Sequence, residues 1–278
     1  SIKINWKSKD QNLIQISEEL NIGLDSFVFV DDSKHEIDLI NNMLPEVTTL
    51  HVPEDIYNYP NELMNLQNIF FNNSLTYEDK NKTKLYNEQK TRQSTSKKFT
   101  NISDYLLSLG TKLKININNL DNLERLTQLT QKTNQFNLTT KRYSKAEMEN
   151  KIQDNDFLVF SLNVSDKFGI IGLTGLAIIK LNVNKKIAEI ESFVLSCRII
   201  GREIENYFIN SIIIKLKSIK YDKCKAAYIK TKKNEIVSNF YDKIGFIKEF
   251  EENETKVYNL DMKSYIFNNS NLCEVEIE

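Results

Sequence analysis

The stretch ESFVLSCRIIGREIENYF (191–208) passes from an apolar, strand-like run to a helical pattern within a few residues. Gly201 stands at the junction, with Arg198 and Arg202 on either side. The chain has only seven glycines, so one at this place needs a reason. It is either a tight corner or a point where backbone N–H groups at a helix start hold a phosphate. A second candidate centre is the pair Asp31 and Asp32, at the carboxyl end of the apolar run SFVFV (26–30). Adjacent carboxylates after a buried strand can hold Mg²⁺, a hard cation that takes oxygen ligands; the alternative is a solvated strand end that caps the next helix. Glu189 and Glu191 alternate onto one face of the run before Cys197, where a carboxylate base for amine attack could sit. Cys197 reads either as an acyl relay or as a buried strand cysteine, with no histidine near it in sequence. TNQFNLTT (133–140) is dense in amides and hydroxyls, and reads as a set of hydrogen-bonding groups for a polar ligand or as an Asx- and Thr-rich loop making its own turns.

These groups must be positioned by regular elements. Leu13, Ile16 and Leu20 have helical spacing, with Gly23 where a C-cap would fall. SFVFV reads as a short, fully buried parallel strand, and SKHEIDLINNML as a helix capped by Ser33. TYEDKNKTKLYNEQKTRQSTSKK (76–98), with Tyr77 and Leu85 among its few apolar positions, reads as an exposed helix; its charge suits a solvated face better than an RNA-binding patch. NISDYLLSLG reads as a short helix capped by Ser103 and stopped by Gly110. From residue 111 strands and helices alternate: TKLKINI, LDNLERLTQLTQKTNQF, SKAEMENKIQD, FLVFSLNV, IIGLTGLAIIKL, KIAEIESFVLSCRII, GREIENYFINSIIIKLKSI, KAAYIKT, NEIVSNFYDKIGF, IKEFEE and KVYNLDM. In the long helix Ile204, Tyr207, Phe208, Ser211 and Ile212 share one face. The expected fold class is α/β: a partial Rossmann-like segment, then a mixed sheet with helices on both faces. The expected division is 1–75, a helical connector 76–110, and 111–278.

Composition narrows the function classes. The chain has 278 residues, 40% hydrophobic and 27% charged, enough for a packed core in one large domain or two ordinary ones. The net charge of −1 argues against a general nucleic-acid or membrane-surface protein, and no apolar run is long enough for a bilayer span. Three cysteines without CxxC spacing and two histidines make a zinc site improbable, and a reducing cytoplasm is the simplest setting. The chain begins with Ser1, so a fragment of a longer protein is expected.

Two resemblances sharpen this reading. Lys9, followed by a helix, a strand and the acidic pair, resembles the third and fourth motifs of haloacid-dehalogenase-type (HAD) phosphatases. The resemblance implies that Lys9 steadies a phosphoryl group while Asp31 and Asp32 help hold Mg²⁺. The nucleophile motif of that family has no counterpart here, so phosphatase activity is not expected of this chain alone. The second half resembles the GNAT-type N-acetyltransferase fold, in which a (Q/R)xxGx(G/A) loop cradles the pyrophosphate of coenzyme A. Arg198-Ile199-Ile200-Gly201-Arg202 matches its first Arg and first Gly, and Glu203 departs from it. NEIVSNFYDKIGF resembles that family's Asn…FYxxxGF stretch, which implies that Asn234 contacts pantetheine and Tyr241 protonates the leaving thiolate. Glu191 is a candidate base.

Together the halves resemble FkbH-like proteins, most specifically in ELNIGLDSFVFVDD, LTQKTNQFNLTTKRYS and FVLSCRIIGRE. Studied members load a glyceryl unit from a bisphosphorylated donor onto an acyl carrier protein as a thioester. The resemblance implies an acyltransferase-type domain of polyketide-type metabolism, handling an acyl or glyceryl group on coenzyme A or on a carrier protein's phosphopantetheine arm. Thr133, Asn134, Gln135, Asn137, Thr139 and Thr140 are then expected to bind the acyl unit. Two other expectations stay open: a module that binds acyl-coenzyme A or carrier protein without transfer, and an amine N-acetyltransferase.

Overall fold

The computed structural model describes residues 1–20, 22–70, 81–267 and 271–278, and the chain falls into two compact units that divide between Leu75 and Thr76. In the first unit the elements run α1 (Lys9–Leu20), β1 (Val28–Asp31), α2 (Lys34–Met43), β2 (Thr48–His51) and α3 (Tyr59–Phe70). β1 and β2 pair in parallel, Val28 opposite Thr48 through Asp31 opposite His51. Leu13, Phe27, Phe29, Ile40, Leu44 and Val47 form a small apolar cluster between the helices and one sheet face. The expectation of a fully buried strand is corrected here, because Val30 on the other face is 46% exposed. Gly23 is not a helix C-cap: its backbone is extended (φ −63°, ψ 147°), and the Ser17 hydroxyl and carbonyl bond Ile22 at the helix end instead. Ser33 precedes α2 without a side-chain cap bond; its N–H goes to Asp31 Oδ1 at 2.9 Å.

The second unit begins, among the described residues, with α4 (Lys82–Ser96) and α5 (Ile102–Leu109), so most of the expected connector is integral to it; residues 76–80 of that stretch, Tyr77 included, lie outside the described residues. Tyr105, Leu106 and Leu109 enter the main core, and Leu85 and Arg92 are buried on a mostly polar α4. Asn101, rather than Ser103, caps α5: its side chain accepts the Ser103 N–H at 2.9 Å. Gly110 ends the helix in a left-handed conformation, as its position suggested.

Among the described residues there follow β3 (Thr111–Ile117), α6 (Leu123–Lys132), α7 (Lys145–Gln153), β4 (Phe157–Asp166), β5 (Gly169–Asn182), β6 (Ile187–Leu195), α8 (Ile204–Ser218), β7 (Lys223–Ile229), α9 (Phe240–Ile244), β8 (Ile247–Glu252), β9 (Thr255–Asp261) and β10 (Cys273–Ile277). The eight strands order as β10-β3-β4-β5-β6-β7-β9-β8, a mixed sheet in which β3/β10 and β6/β7 are the parallel pairs. The central β5 is buried on both faces. Ala177 and Ile179 face a core built with α8, where Tyr207, Phe208, Ile212 and Ile213 are buried. Leu176 and Ile178 face a second core under α6 and α7, with Leu126, Leu129, Met148 and Ile152. Helices therefore cover both faces, as the alternating pattern predicted. No helix of the described residues is long and apolar enough to cross a membrane.

Candidate functional site

The middle of the sheet does not stay paired. β6 and β7 run together only over Ile187–Ile190 and Lys223–Ala226. Beyond that, β6 keeps β5 as its partner and β7 keeps β9. At the same place β6 carries a bulge. Its register on β5 jumps from Ile179–Ile190 to Ile178–Ser192, so Glu191 is the extra residue. A bulge bends a strand and re-aims a side chain, and here it stands where the sheet parts.

The gap is filled by the chain itself. Leu195 N–H donates to Phe136 O (2.9 Å), Leu138 N–H to Phe193 O (3.2 Å), and the Thr139 hydroxyl to Glu191 O (3.0 Å). On the other side Ile229 N–H donates to Leu138 O (2.8 Å). Residues 136–139 thus act as a short inserted strand between β6 and β7. Phe136 packs on Phe193 and Phe240, with ring centroids 6.0 and 5.2 Å away. Asn234, 0% exposed, locks the insert: Nδ2 donates to Asn137 O and Ile229 O (2.9 Å each), while Oδ1 accepts from Thr231 N–H (2.8 Å) and Tyr228 OH (3.1 Å).

This arrangement corrects several expectations. Asn234 spends its whole amide inside the protein and presents none of it to a pantetheine. Asn137 Oδ1 accepts Thr140 N–H at 2.9 Å and Thr139 bonds strand β6, so the loop makes its own turns, and Thr140 closes it at φ +55°. Of the other residues expected to line an acyl pocket, Thr133 ends α6, Asn134 accepts from Arg142 (2.7 Å), and Gln135 is exposed. Tyr241 is 1% exposed among Phe240, Phe246 and Tyr258, and its hydroxyl has no hydrogen-bond partner among the described residues. Burial pushes that hydroxyl well above the ordinary tyrosine range. A group sealed in this way does not reach a leaving thiolate in this conformation.

Glu191 is nearly buried on the α6–α7 side of the sheet. Its Oε1 accepts Tyr143 OH (2.8 Å) and pairs with Lys151 Nζ (2.8 Å); Lys151 also lies 4.0 Å from the Phe157 ring centroid. Burial alone would raise the carboxyl, but the Lys151 ammonium and the Tyr143 hydroxyl outweigh it and hold Glu191 below its usual range. A carboxylate already neutralised by an ammonium is a poor base for a substrate amine. Tyr143 and Lys151 were not singled out in the sequence, although Tyr143 lies inside the quoted LTQKTNQFNLTTKRYS stretch. The Cys197 thiol is raised by burial, which leaves it protonated and disfavours an acyl relay.

The loop from β6 to α8 has the geometry an anion site needs. Ser196 caps a short turn at Cys197–Ile199, and its hydroxyl accepts from Arg198 N–H and Nε (3.4 and 3.3 Å). Arg198 Nη1 donates to Ile171 O at 3.1 Å. Ile199 is buried in the core and Ile200 packs against it, so the pair anchors the loop. Gly201 has φ +76°, and a Cβ there would meet nothing within 4 Å. Glycine is favoured by this backbone conformation, and the space beside it is open. Glu203, at φ +59°, precedes the 15-residue α8 and makes no side-chain cap bond. Arg202 is 8% exposed; one N–H reaches Asp166 Oδ2 (2.6 Å), while Nε and Nη1 are buried without a partner among the described residues.

In the first unit the structure brings Lys9 and Asp31 together as an ion pair, Nζ to Oδ2. The Asp31 hydrogen bond is the main cause that raises the Lys9 ammonium. Burial would raise the Asp31 carboxyl, but Lys9 and the Ser33 N–H hold it low. Asp32 is exposed. Both Asp31 oxygens are thus engaged, and the described residues contain no group of three or more metal-ligating side chains. The pair as arranged does not fit a Mg²⁺ site.

No family model matches the chain, and no curated protein matches it. Solved structures are similar to about half of the chain. A domain from Methanocaldococcus jannaschii is 18% identical, with 54% of this chain and 99% of that one covered and a TM-score of 0.44. The ribosomal-protein-S18-alanine N-acetyltransferase of Escherichia coli is 11% identical over 54% and 94%, at 0.42. The PaiA N-acetyltransferase of Thermoplasma acidophilum, in complex with coenzyme A, is 19% identical over 53% and 98%, at 0.41. Likeness at this level defines neither a family nor an activity for this chain. The FkbH-like resemblance rests on the quoted motifs alone.

Proposed function

We propose that the second unit is an acyltransferase-type domain that holds a phosphorylated pantetheine thioester, on coenzyme A or on a carrier protein, at the Arg198–Arg202 loop. The observation that carries this reading is Gly201, left-handed at φ +76° with open space beside it, one residue before the Arg202 guanidinium and close to the start of a long helix. Two N–H groups of Arg202 have no acceptor among the described residues, and a small movement of this corner would let an anion satisfy them. Helix-start amides and the helix dipole add to the same attraction. Ile199 and Ile200 would fix the loop and Arg198 its first turn. An acyl carrier protein as partner and a small acyl or glyceryl group as cargo follow from the FkbH-like resemblance and are part of the proposal.

The test is calorimetric titration with coenzyme A of wild type, Gly201→Ala and Gly201→Glu. Micromolar binding that survives in the alanine variant within about tenfold and vanishes with glutamate supports a phosphate at the loop. Absence of heat with both coenzyme A and a holo carrier protein overturns the reading.

A second reading, binding without transfer, is favoured by one observation. The gap where β6 and β7 part is filled by residues 136–139, and the hydroxyl of Tyr241 is sealed away. Single-turnover assay with an acyl-coenzyme A distinguishes the two: binding with no thioester loss supports the second.

A further inference from the structure

The Arg202 side chain does not choose its own direction. Asp166, at the end of β4, has no exposed side-chain surface and accepts four hydrogen bonds. Oδ1 takes Arg92 Nη2 (2.8 Å) and Phe168 N–H (3.0 Å); Oδ2 takes Arg92 Nε (2.8 Å) and Arg202 Nη2 (2.6 Å). Arg92, on α4, therefore holds Asp166 as a two-point fork and leaves room for a single N–H of Arg202. That is why the remaining Arg202 donors are unpaired. α4 is itself tied down: Tyr105 OH donates to Arg92 O (3.1 Å), and the Arg92 guanidinium lies 5.8 Å from the Phe168 ring centroid. Tyr86, on the same helix, is within electrostatic reach of Cys197 and Arg198. Glu88 lies 3.8 Å from Arg92 and balances its charge, so the cluster of two arginines and two carboxylates is neutral without a ligand.

We infer that Arg92 and Asp166 are positioning residues for Arg202, and that α4 is a working part of the anion site. The inference rests on the proposed phosphate reading of the loop. Remove Arg92, and the Asp166 oxygens it occupied become free. Arg202 is then the nearest partner, and a guanidinium closes on a carboxylate with two parallel N–H bonds when both oxygens are available. The Gly201–Arg202 corner shifts with it. The prediction is unusual: deleting a cation that makes no contact with the ligand weakens anion binding by redirecting a second cation.

The experiment compares wild type, Arg92→Leu and Arg92→Lys by coenzyme A titration, and by hydrogen–deuterium exchange of amides 201–204 without ligand. Arg92→Leu is expected to lose at least tenfold in affinity while remaining folded. Arg92→Lys, a point charge that cannot fork, is expected to fall between. Equal affinity in all three, with wild type binding, overturns the inference and leaves the proposed function intact. If wild type itself does not bind, the proposed function fails and exchange decides. Faster exchange of amides 201–204 in both variants keeps Arg92 as the residue that orders the loop, and unchanged exchange overturns the inference. If Arg92→Leu does not fold, Arg92→Lys gives both readouts.

Discussion

Replacing Asn234 by Ala separates its two roles. In the structure it is a lock: of the four hydrogen bonds of its side chain, one holds the inserted strand at Asn137 and three hold the end of β7 and the turn after it. Truncation leaves two carbonyls and one amide without this partner in a largely buried place, while the Tyr228 hydroxyl keeps the backbone carbonyl of residue 234 at 3.4 Å. Each lost bond is worth about 1 kcal/mol net, and an unsatisfied buried group costs more. Water entering the vacated space offsets part of this, so the expected loss is about 3–4 kcal/mol. That is a large fraction of a typical total of about 5–15 kcal/mol. At a slope of about 2 kcal/mol per molar urea, the midpoint falls by about 1.5–2 M. The assay is urea unfolding followed by circular dichroism, with amide exchange at Leu138, Leu195 and Ile229 as a local readout. Faster exchange at those three positions is expected first, because their bonds define the insert. A midpoint shift below about 0.5 M, together with loss of coenzyme A binding, would refute the reasoning and return Asn234 to the ligand.

Three other substitutions test neighbouring claims. Tyr241→Phe removes a hydroxyl that has no partner among the described residues, so stability is expected to hold or rise by up to about 1 kcal/mol, with no change in acyl transfer; a large drop in rate would make Tyr241 a catalytic acid. Glu191→Gln leaves Lys151 without its carboxylate and should cost about 1.5–3 kcal/mol in thermal or urea unfolding, because hydrogen bonds to charged groups are the stronger ones. Asp166 is held below the ordinary carboxylate range because Arg92 and Arg202 outweigh the burial that would raise it. A depressed folded value gives stability that is complete above the unfolded value of about 3.9 and is lost as pH falls through the folded one. The melting difference between wild type and Asp166→Asn should therefore be flat from pH 5 to 8 and shrink only below about pH 4. A difference that fades near neutrality would contradict the assignment.

What could be read along the chain was local. The 3.6-residue spacing of Ile204, Tyr207, Phe208 and Ile212 predicts the buried face of α8, and the alternation of apolar runs predicts a mixed sheet with two helical covers. Gly110 and Gly201 were legible because a left-handed backbone has few other residue choices. The bonds that make the site were not legible, because their partners are far apart in sequence. Asp166 meets Arg92 across 74 positions and Arg202 across 36, and no motif links either arginine to Asp166. Asn234 reaches Asn137 across 97. Ionic and polar groups carry no periodicity that says which of several partners they will find. The same limit explains Glu191 and Tyr241, whose residue types suit acid–base chemistry. Tertiary packing instead gave one a lysine and the other an aromatic enclosure. Sequence determined which segments are helix and strand and where the backbone must turn. The closing of the β6–β7 gap and the direction of Arg202 were decided only when distant segments competed for the same buried hydrogen bonds.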